Sequence, residues 1–251
     1  MDVDPVVEMK RDRIVIAVDI EMTGSIKGCS VIAIGAAFCR ESGRNGINGT
    51  FLSCCYNPTV ALFEKRCVDE FWSKGNTPAI LDRIEAESVK PDGSITTPLE
   101  SIAAFQKWKA GVETYAKERD LKTVVVTDNA SYDIANLNIL LMEIGFLPMP
   151  YKARDGQPYG KVLDSSDFRR GVIATQNGKP SIKDLAEKFD VPLVDFGKEH
   201  THMPDDDATT IAEDYVNTLA VADAIVIHGV SASVAGGHKK AKTGNVVTAE
   251  E

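Results

Sequence analysis

Arg13 to Asp19 reads RIVIAVD, and this stretch decides the fold. Between the terminal Arg and Asp every residue is apolar, and most are β-branched, so a strand here is apolar on both faces. A strand of that kind is buried on both faces, which predicts a central strand rather than an edge. Downstream, Gly24 and Gly28 bracket a turn, and Ser30 to Cys39 (SVIAIGAAFC) and Ile47 to Tyr56 (INGTFLSCCY) read as two more strands around a GRNG turn at Gly43 to Gly46. A three-stranded antiparallel meander is the simplest arrangement of the three.

Beyond Tyr56 the hydrophobic period changes to that of a helix. Glu64 to Ser88 carries Phe71 and Trp72 in one segment and Ile80 and Ile84 in the next, which Pro78 starts. Pro98 to Arg119 is a long amphipathic helix with Leu99, Ile102, Phe105 and Trp108 on one stripe, followed by a strand at Lys122 to Thr127. Ser131 to Ile144 is helical and stops at Gly145, and Tyr151 to Gly160 is a polar loop. Val162 to Leu163 reads as a short strand, and Ser181 to Phe189, capped by Ser181, and Asp206 to Ile227 as the last helices. Strands that first follow one another and then alternate with helices predict an α/β fold, a mixed sheet with helices on both faces. Residues 1–12 are expected to be an N-terminal extension, 13–230 one domain, and 231–251 a disordered, Gly/Ala/Lys-rich tail.

Composition narrows the class of protein. The 251 residues, 43% hydrophobic and 26% charged, suit one globular domain, and no apolar run approaches the roughly 20 residues of a membrane helix. The charged start, Met1 to Arg13, has no apolar signal core, so an intracellular, cytoplasmic location and no membrane partner are expected. Five cysteines without CxxC spacing, Cys29, Cys39, Cys54, Cys55 and Cys67, read as thiols in a reducing compartment. A net charge of −9 argues against a protein that coats long duplexes, since such affinity comes from Lys and Arg on phosphates. A cluster of carboxylates holding divalent cations would invert that argument locally and suit a short, end-bound substrate.

Three segments carry such carboxylates. Asp19 and Glu21 are two apart at the end of the apolar strand, so both point to one face, where like charges persist only with a cation or a proton to offset them. With 37 acids among 251 residues, roughly five pairs at that spacing arise by chance, and it is the position on a buried strand that singles this one out. Asp133 lies four, three and four residues along a stripe with Leu137, Leu140 and Ile144, a core-facing place where an acid needs a partner. The third segment, His200 to Ala208 (HTHMPDDDA), runs from a loop into a helix whose apolar face bears Ile211, Ala212, Tyr215 and Leu219. Asp207 shares that face. N-capping and the helix dipole account for Asp205 and Asp206, and His200 reads as a solvated loop histidine.

In order, DIEMTG, NASYD and HMPDDDA resemble the three motifs of the DEDDh 3′→5′ exonucleases, the group of proofreading exonucleases, ribonuclease T and oligoribonuclease. The resemblance implies a ribonuclease-H-like fold, with Asp19, Glu21, Asp133 and Asp207 as ligands of two divalent cations, Mg²⁺ or Mn²⁺, and His202 as general base. It places Met22 and Thr23 at the terminal nucleotide and makes the 3′ ends of single-stranded DNA or RNA the partner; a homodimer is compatible with it. His200/Asp205 and His202/Asp207 share the motif's five-residue offset; Ala208 and the inward face of Asp207 favour the second. Asp128 departs from the pattern, standing where many members have His or Gly.

From Lys152 to Lys183 the chain is locally basic, with Arg154, Lys161, Arg169, Arg170 and Lys179 between and Tyr151 and Tyr159 available for stacking, so it reads either as a solvated surface or as a phosphate-contacting face. Two other functions compete. A strand ending in Asp-x-acid-x-Thr also resembles the haloacid-dehalogenase phosphatases, but the second acid there is Asp and here it is Glu21, and that reading leaves Asp133 and His202 unused. A catalytically silent nucleic-acid-binding module is the other, though a binder gains nothing from mutually repelling acids.

Overall fold

The computed structural model describes residues 13–24, 29–43, 45–149, 162–176 and 178–237. Arg13–Met22 is β1, Val31–Arg40 β2 and Ile47–Cys54 β3. Two further strands, β4 (Lys122–Thr127) and β5 (Val162–Asp164), complete a sheet of order β3-β2-β1-β4-β5. The first three strands are antiparallel, and β4 and β5 run parallel to β1. This is the mixed sheet expected, with β1 at its centre. Ile14 to Val18 are wholly inaccessible to solvent.

The helices are α1 (Lys65–Cys67), α2 (Thr77–Ser88), α3 (Pro98–Lys117), α4 (Asp133–Glu143), α5 (Ser165–Ala174), α6 (Ile182–Phe189) and α7 (Pro204–Gly237). Between α1 and α2, Val68–Trp72 form one wide π-turn. Local chemistry explains several boundaries. Thr97 caps α3 in a reciprocal box with Glu100, and Ser181 caps α6 likewise with Asp184. Gly145, at φ +81°, follows α4 in the left-handed conformation that ends helices.

The pleat divides β1 between two cores. Ile14, Ile16, Val18 and Ile20 face α3 and α4, where Ile102, Phe105, Ile134, Leu137 and Leu141 cover them. Val15 and Ala17 face α7, against Ala208, Ile211, Ala212 and Tyr215. β2 is small on that second face, with Gly35, Ala37 and Cys39, so α7 lies close. A Cβ on Gly35 would stand 2.0 Å from the Pro204 carbonyl carbon and 2.3 Å from the Asp205 nitrogen.

At the other end of β1, Arg13 pairs with the buried Glu41 of the β2 turn through Nε at 2.9 Å and through its Nη2, and the Tyr215 hydroxyl of α7 donates to the same carboxylate at 3.1 Å. Burial of one charge with two partners makes this staple sensitive to deletion. Glu41→Ala removes the buried carboxylate to which both Arg13 and Tyr215 donate and should cost about 3 kcal/mol. That corresponds to a fall of about 6–12 °C in Tm at this chain length, read by thermal unfolding.

Four sequence expectations need correction or fall outside the described residues. The buried face of α4 is Asp133, Ile134, Leu137, Asn138 and Leu141, so the stripe is rotated from the one through Leu140 and Ile144, which pack only at its margin. α5 was not expected at all, although Asp164 caps it by accepting from the Asp167 N–H at 2.8 Å. α7 is described past Ser231 as far as Gly237; Ser and Ala extend a helix that is already propagating. The loop at Tyr151 to Gly160, with Lys152, Arg154, Tyr159 and Lys161, lies outside the described residues, as do Gly28 and the remainder of both terminal segments.

Cys39, Cys54 and Cys55 are buried, and Cys29 and Cys67 partly so, all as free thiols. Burial pushes the Cys39 and Cys54 thiols up to about 12 and Cys55 to about 11, which holds them protonated. Among the described residues no helix is long and apolar enough to cross a membrane.

Candidate active site

β1 and β4 are parallel, so their C-terminal ends open at the same edge of the sheet, the edge where open α/β sheets gather ligands. Asp19 and Glu21 sit at that end of β1, on the α7 face, paired in register with Gly35 and Ala33. The register slips between Glu21 and Met22, a bulge of the kind that re-aims side chains at the rim of a sheet. Asp133 opens α4 just beyond β4, and the Thr127 hydroxyl at the end of β4 donates to its Oδ2. Asp207 enters from the first turn of α7 and is only 2% exposed.

These segments meet. Ligand atoms of Asp19, Glu21 and Asp207 lie within 4.8 Å of one another, as do those of Asp19, Asp128 and Asp133, and those of His200, His202 and Asp207. Asp19 is common to the first two groups. Asp205 enters none of the three, so the His202/Asp207 register is the one whose acid joins Asp19 and Glu21. Two members were not foreseen. Asp128 stood out only as a departure from a motif, and His200 as a solvated residue. An acid directly after a buried strand, and a second imidazole two residues before the first, were the signals available.

His202 has φ +63°, a left-handed conformation uncommon outside glycine. Within that turn the backbone N–H groups of Thr201, at 2.8 Å, and His202, at 3.1 Å, donate to the Asp207 carboxylate. The His202 Nδ1 then stands 4.0 Å from both Glu21 Oε1 and Asp207 Oδ2. Phe71 packs against the imidazole edge-on at 4.8 Å. Burial, then the neighbouring His200, lowers the His202 pKa, which favours the neutral ring.

The carboxyls shift the other way. Burial first, then Glu21, Asp133, Asp207 and Asp128, raises Asp19 well above the usual carboxylate range. Glu21 rises through burial and then Asp207 and Asp133. Asp133 is pushed up to about 7, by burial above all, against the opposing hydrogen bond from Thr127. Asp207 and Asp128 are raised as well, again by desolvation first. Among the described residues, Glu21 and Asp207 form ion pairs with histidine alone, and Asp19 and Asp133 form none with Lys or Arg. Asp19 Oδ2 is buried and, among the described residues, has no hydrogen-bond partner. A buried, unpartnered carboxylate oxygen among repelling acids is an arrangement that a hard divalent cation completes, so the donor set fits a metal.

A stability signature follows from Asp133. Its folded pKa lies above its unfolded value of 3.8, so between about pH 4 and 7 the folded, ion-free protein holds more protons than the unfolded chain. That contribution is complete below pH 4 and is lost as pH rises through 7. In a chelator, Tm should therefore fall between pH 5 and 8, and added Mg²⁺ or Mn²⁺ should restore it most at the upper end. A Tm equally insensitive to pH with and without the ion would contradict the arrangement.

The residues placed at the terminal nucleotide, Met22 and Thr23, are both buried. The Trp72 indole donates to the Met22 carbonyl at 3.1 Å, and the Thr23 hydroxyl accepts from the Ser30 N–H at 2.8 Å while donating to the Leu62 carbonyl. They hold the wall beside Glu21. Asp164 supports the opposite side, its Oδ2 accepting from the Ala130 N–H at 3.0 Å in the loop between Asp128 and Asp133. Of the basic stretch, Arg169 pairs with Asp214 at 3.1 Å and acts electrostatically on Asp128, whereas Arg170 pairs with Asp167 on the exposed side of α5.

No protein-family model matches the chain, and no curated protein matches it in sequence. Among solved structures it is similar to a full-length 3′-exonuclease, with 12% identity, a TM-score of 0.40, and 87% of this chain and 83% of that one covered. It is also similar to exonuclease I in complex with the inhibitor BCBP, with 14% identity, a TM-score of 0.45, and 90% and 46% covered. A zinc-bound complex of the E. coli exonuclease I with single-stranded DNA gives 12%, 0.40, and 90% and 43%. The chain thus spans less than half the length of the exonuclease I structures it matches. Likeness of this degree transfers no residue roles.

Proposed function

We propose that this chain is a metal-dependent 3′→5′ exonuclease that hydrolyses the terminal phosphodiester of single-stranded DNA or RNA and releases nucleoside 5′-monophosphates. The observation that carries the reading is the convergence of three sequence-distant segments on Asp19, whose Oδ2 is buried and, among the described residues, unpartnered. The ordered motif resemblance supplies the polarity. Asp19, Glu21 and Asp207 would hold one divalent ion, and Asp19, Asp128 and Asp133 a second, with Mg²⁺ or Mn²⁺ as the cations that carboxylates suit. Bound there, two such ions supply charge stabilisation to the attacking and leaving oxygens of an in-line displacement.

The chain's own residues do the rest. His202, its neutral form favoured and its ring packed edge-on against Phe71, accepts the proton of the attacking water. Thr127 orients Asp133, and the Thr201 and His202 backbone N–H groups orient Asp207, so the carboxylates are placed before any ligand arrives. Met22 and Thr23, both buried, would support the wall beside Glu21 from within instead of meeting the terminal nucleotide directly. Arg169, beside Asp128 and Asp214, is the described basic residue best placed to meet the next phosphate.

The test incubates the protein and Mg²⁺ or Mn²⁺ with 5′-labelled single-stranded DNA, single-stranded RNA and duplexes with 3′ overhangs. A ladder shortening from the 3′ end is expected. His202→Ala should lower turnover by about 10²–10⁴-fold with the metal-induced Tm rise intact. Near-normal turnover in that variant moves the base elsewhere, and absence of any metal-dependent release favours a binding module.

A further inference from the structure

Two imidazoles, not one, face Asp207. His200 keeps 60% of its side chain exposed, yet its Nδ1 lies 3.1 Å from Asp207 Oδ2. The left-handed turn at His202 folds the HTH segment so that the two rings meet edge-on with centroids 4.5 Å apart. Residues two apart on an extended strand stand about 6.6 Å apart and side by side; here the turn closes them around one carboxylate. That carboxylate is fixed beforehand by the Thr201 and His202 N–H groups, the outer support that orients a metal ligand.

We propose that His200, His202 and Asp207 form a site for a transition-metal ion of the zinc class, separate in donor chemistry from the all-carboxylate groups around Asp19. Two imidazoles and a carboxylate are a donor set zinc favours and Mg²⁺ does not. Donors about 2.0–2.2 Å from one tetrahedral zinc lie roughly 3.3–3.5 Å from each other. His200 Nδ1 and Asp207 Oδ2 are already near that spacing at 3.1 Å, and the His202 Nδ1, 4.0 Å from Asp207 Oδ2, reaches it by a small ring rotation. The exposed side of His200 leaves the fourth position to water.

Zinc held here ties up His202 and Asp207 together, so occupancy inhibits the hydrolysis proposed above. Inhibition rests on the exonuclease reading, whereas binding rests on the geometry alone. The experiment therefore measures binding first. With one equivalent of Zn²⁺, X-ray absorption at the zinc edge should count two imidazole ligands in the natural protein and one in His200→Ala. Competition with a chromophoric chelator should give a zinc affinity at least about 10-fold lower for the variant. The Mg²⁺-dependent Tm rise of His200→Ala should be unchanged, which also reports that the variant folds. Where the chain is active, the zinc concentration for half-inhibition should rise by a similar factor in the variant. Zinc bound by oxygen alone, or an affinity unchanged by His200→Ala, overturns the site. Zinc bound as described to a chain that releases no nucleotide with Mg²⁺ or Mn²⁺ overturns the exonuclease reading and leaves the site standing.

Discussion

Asp19→Asn is expected to stabilise the ion-free protein while removing almost all hydrolysis. Asn keeps the shape of the side chain and deletes the charge shared by both acidic groups. In a chelator at pH 8, that relieves repulsion on Glu21, Asp133 and Asp207, and the new amide can donate to one of them. Tm should rise by about 2–4 °C, the shift that 1 kcal/mol gives at this chain length. With Mg²⁺ present the order should reverse, because the ion stabilises the natural protein by mass action and the variant much less. Turnover should fall on the order of 10³-fold, equivalent to about 4 kcal/mol of lost charge stabilisation at 1.36 kcal/mol per decade. Thermal scans with and without the ion, beside single-turnover cleavage, test both halves. A variant destabilised in the chelator would mean that Asp19 is a structural acid with a partner of its own.

Gly35→Ala is expected to disable the site without touching any of its acids. The added methyl would sit 2.0–2.3 Å from backbone atoms of Pro204 and Asp205, and backbone cannot swing away as a side-chain tip can. Either β2 or the start of α7 must shift. Overpacking of this kind costs about 1–3 kcal/mol and more against backbone. The functional cost is larger, since a displacement near 1 Å can lower a rate about 10²-fold. Asp207 and His202 move with the α7 terminus, so the metal-induced Tm rise should shrink in parallel with activity. Normal turnover in this variant would show that α7 reaches Asp19 by another constraint.

What the sequence made legible and what it concealed have different physical causes. β1 was readable because a strand apolar on both faces has one way to be buried. Asp19 and Glu21 followed from its pleat, and Asp133 and Asp207 from their positions beside apolar helix faces. The phase of α4 was not readable in full, because Leu137, Ile139, Leu140 and Leu141 put apolar residues around much of that helix. α5 is short, with Phe168, Val172 and Ile173 as its large apolar residues and Gly171 inside it, so it did not stand out, although Asp164, Ser165, Ser166 and Asp167 carry the marks of a helix start. Asp128 and His200 lie in loops, where no period says which way a side chain points. Their contribution depends on distances across the sheet edge, and those come only with the tertiary fold.

The parallel pairing of β1 with β4 also bears on how the protein is made. β1, β2 and β3 join through short turns, so the meander closes small loops early and cheaply in entropy. β4 must bring Lys122 back to Arg13 across α1 to α3, and α7 must then seat Asp207 against β1 from still farther along the chain. Contacts that span so much sequence form late. The acids therefore come together only when nearly everything else is in place, and a nascent or partly folded chain carries no assembled acidic cluster.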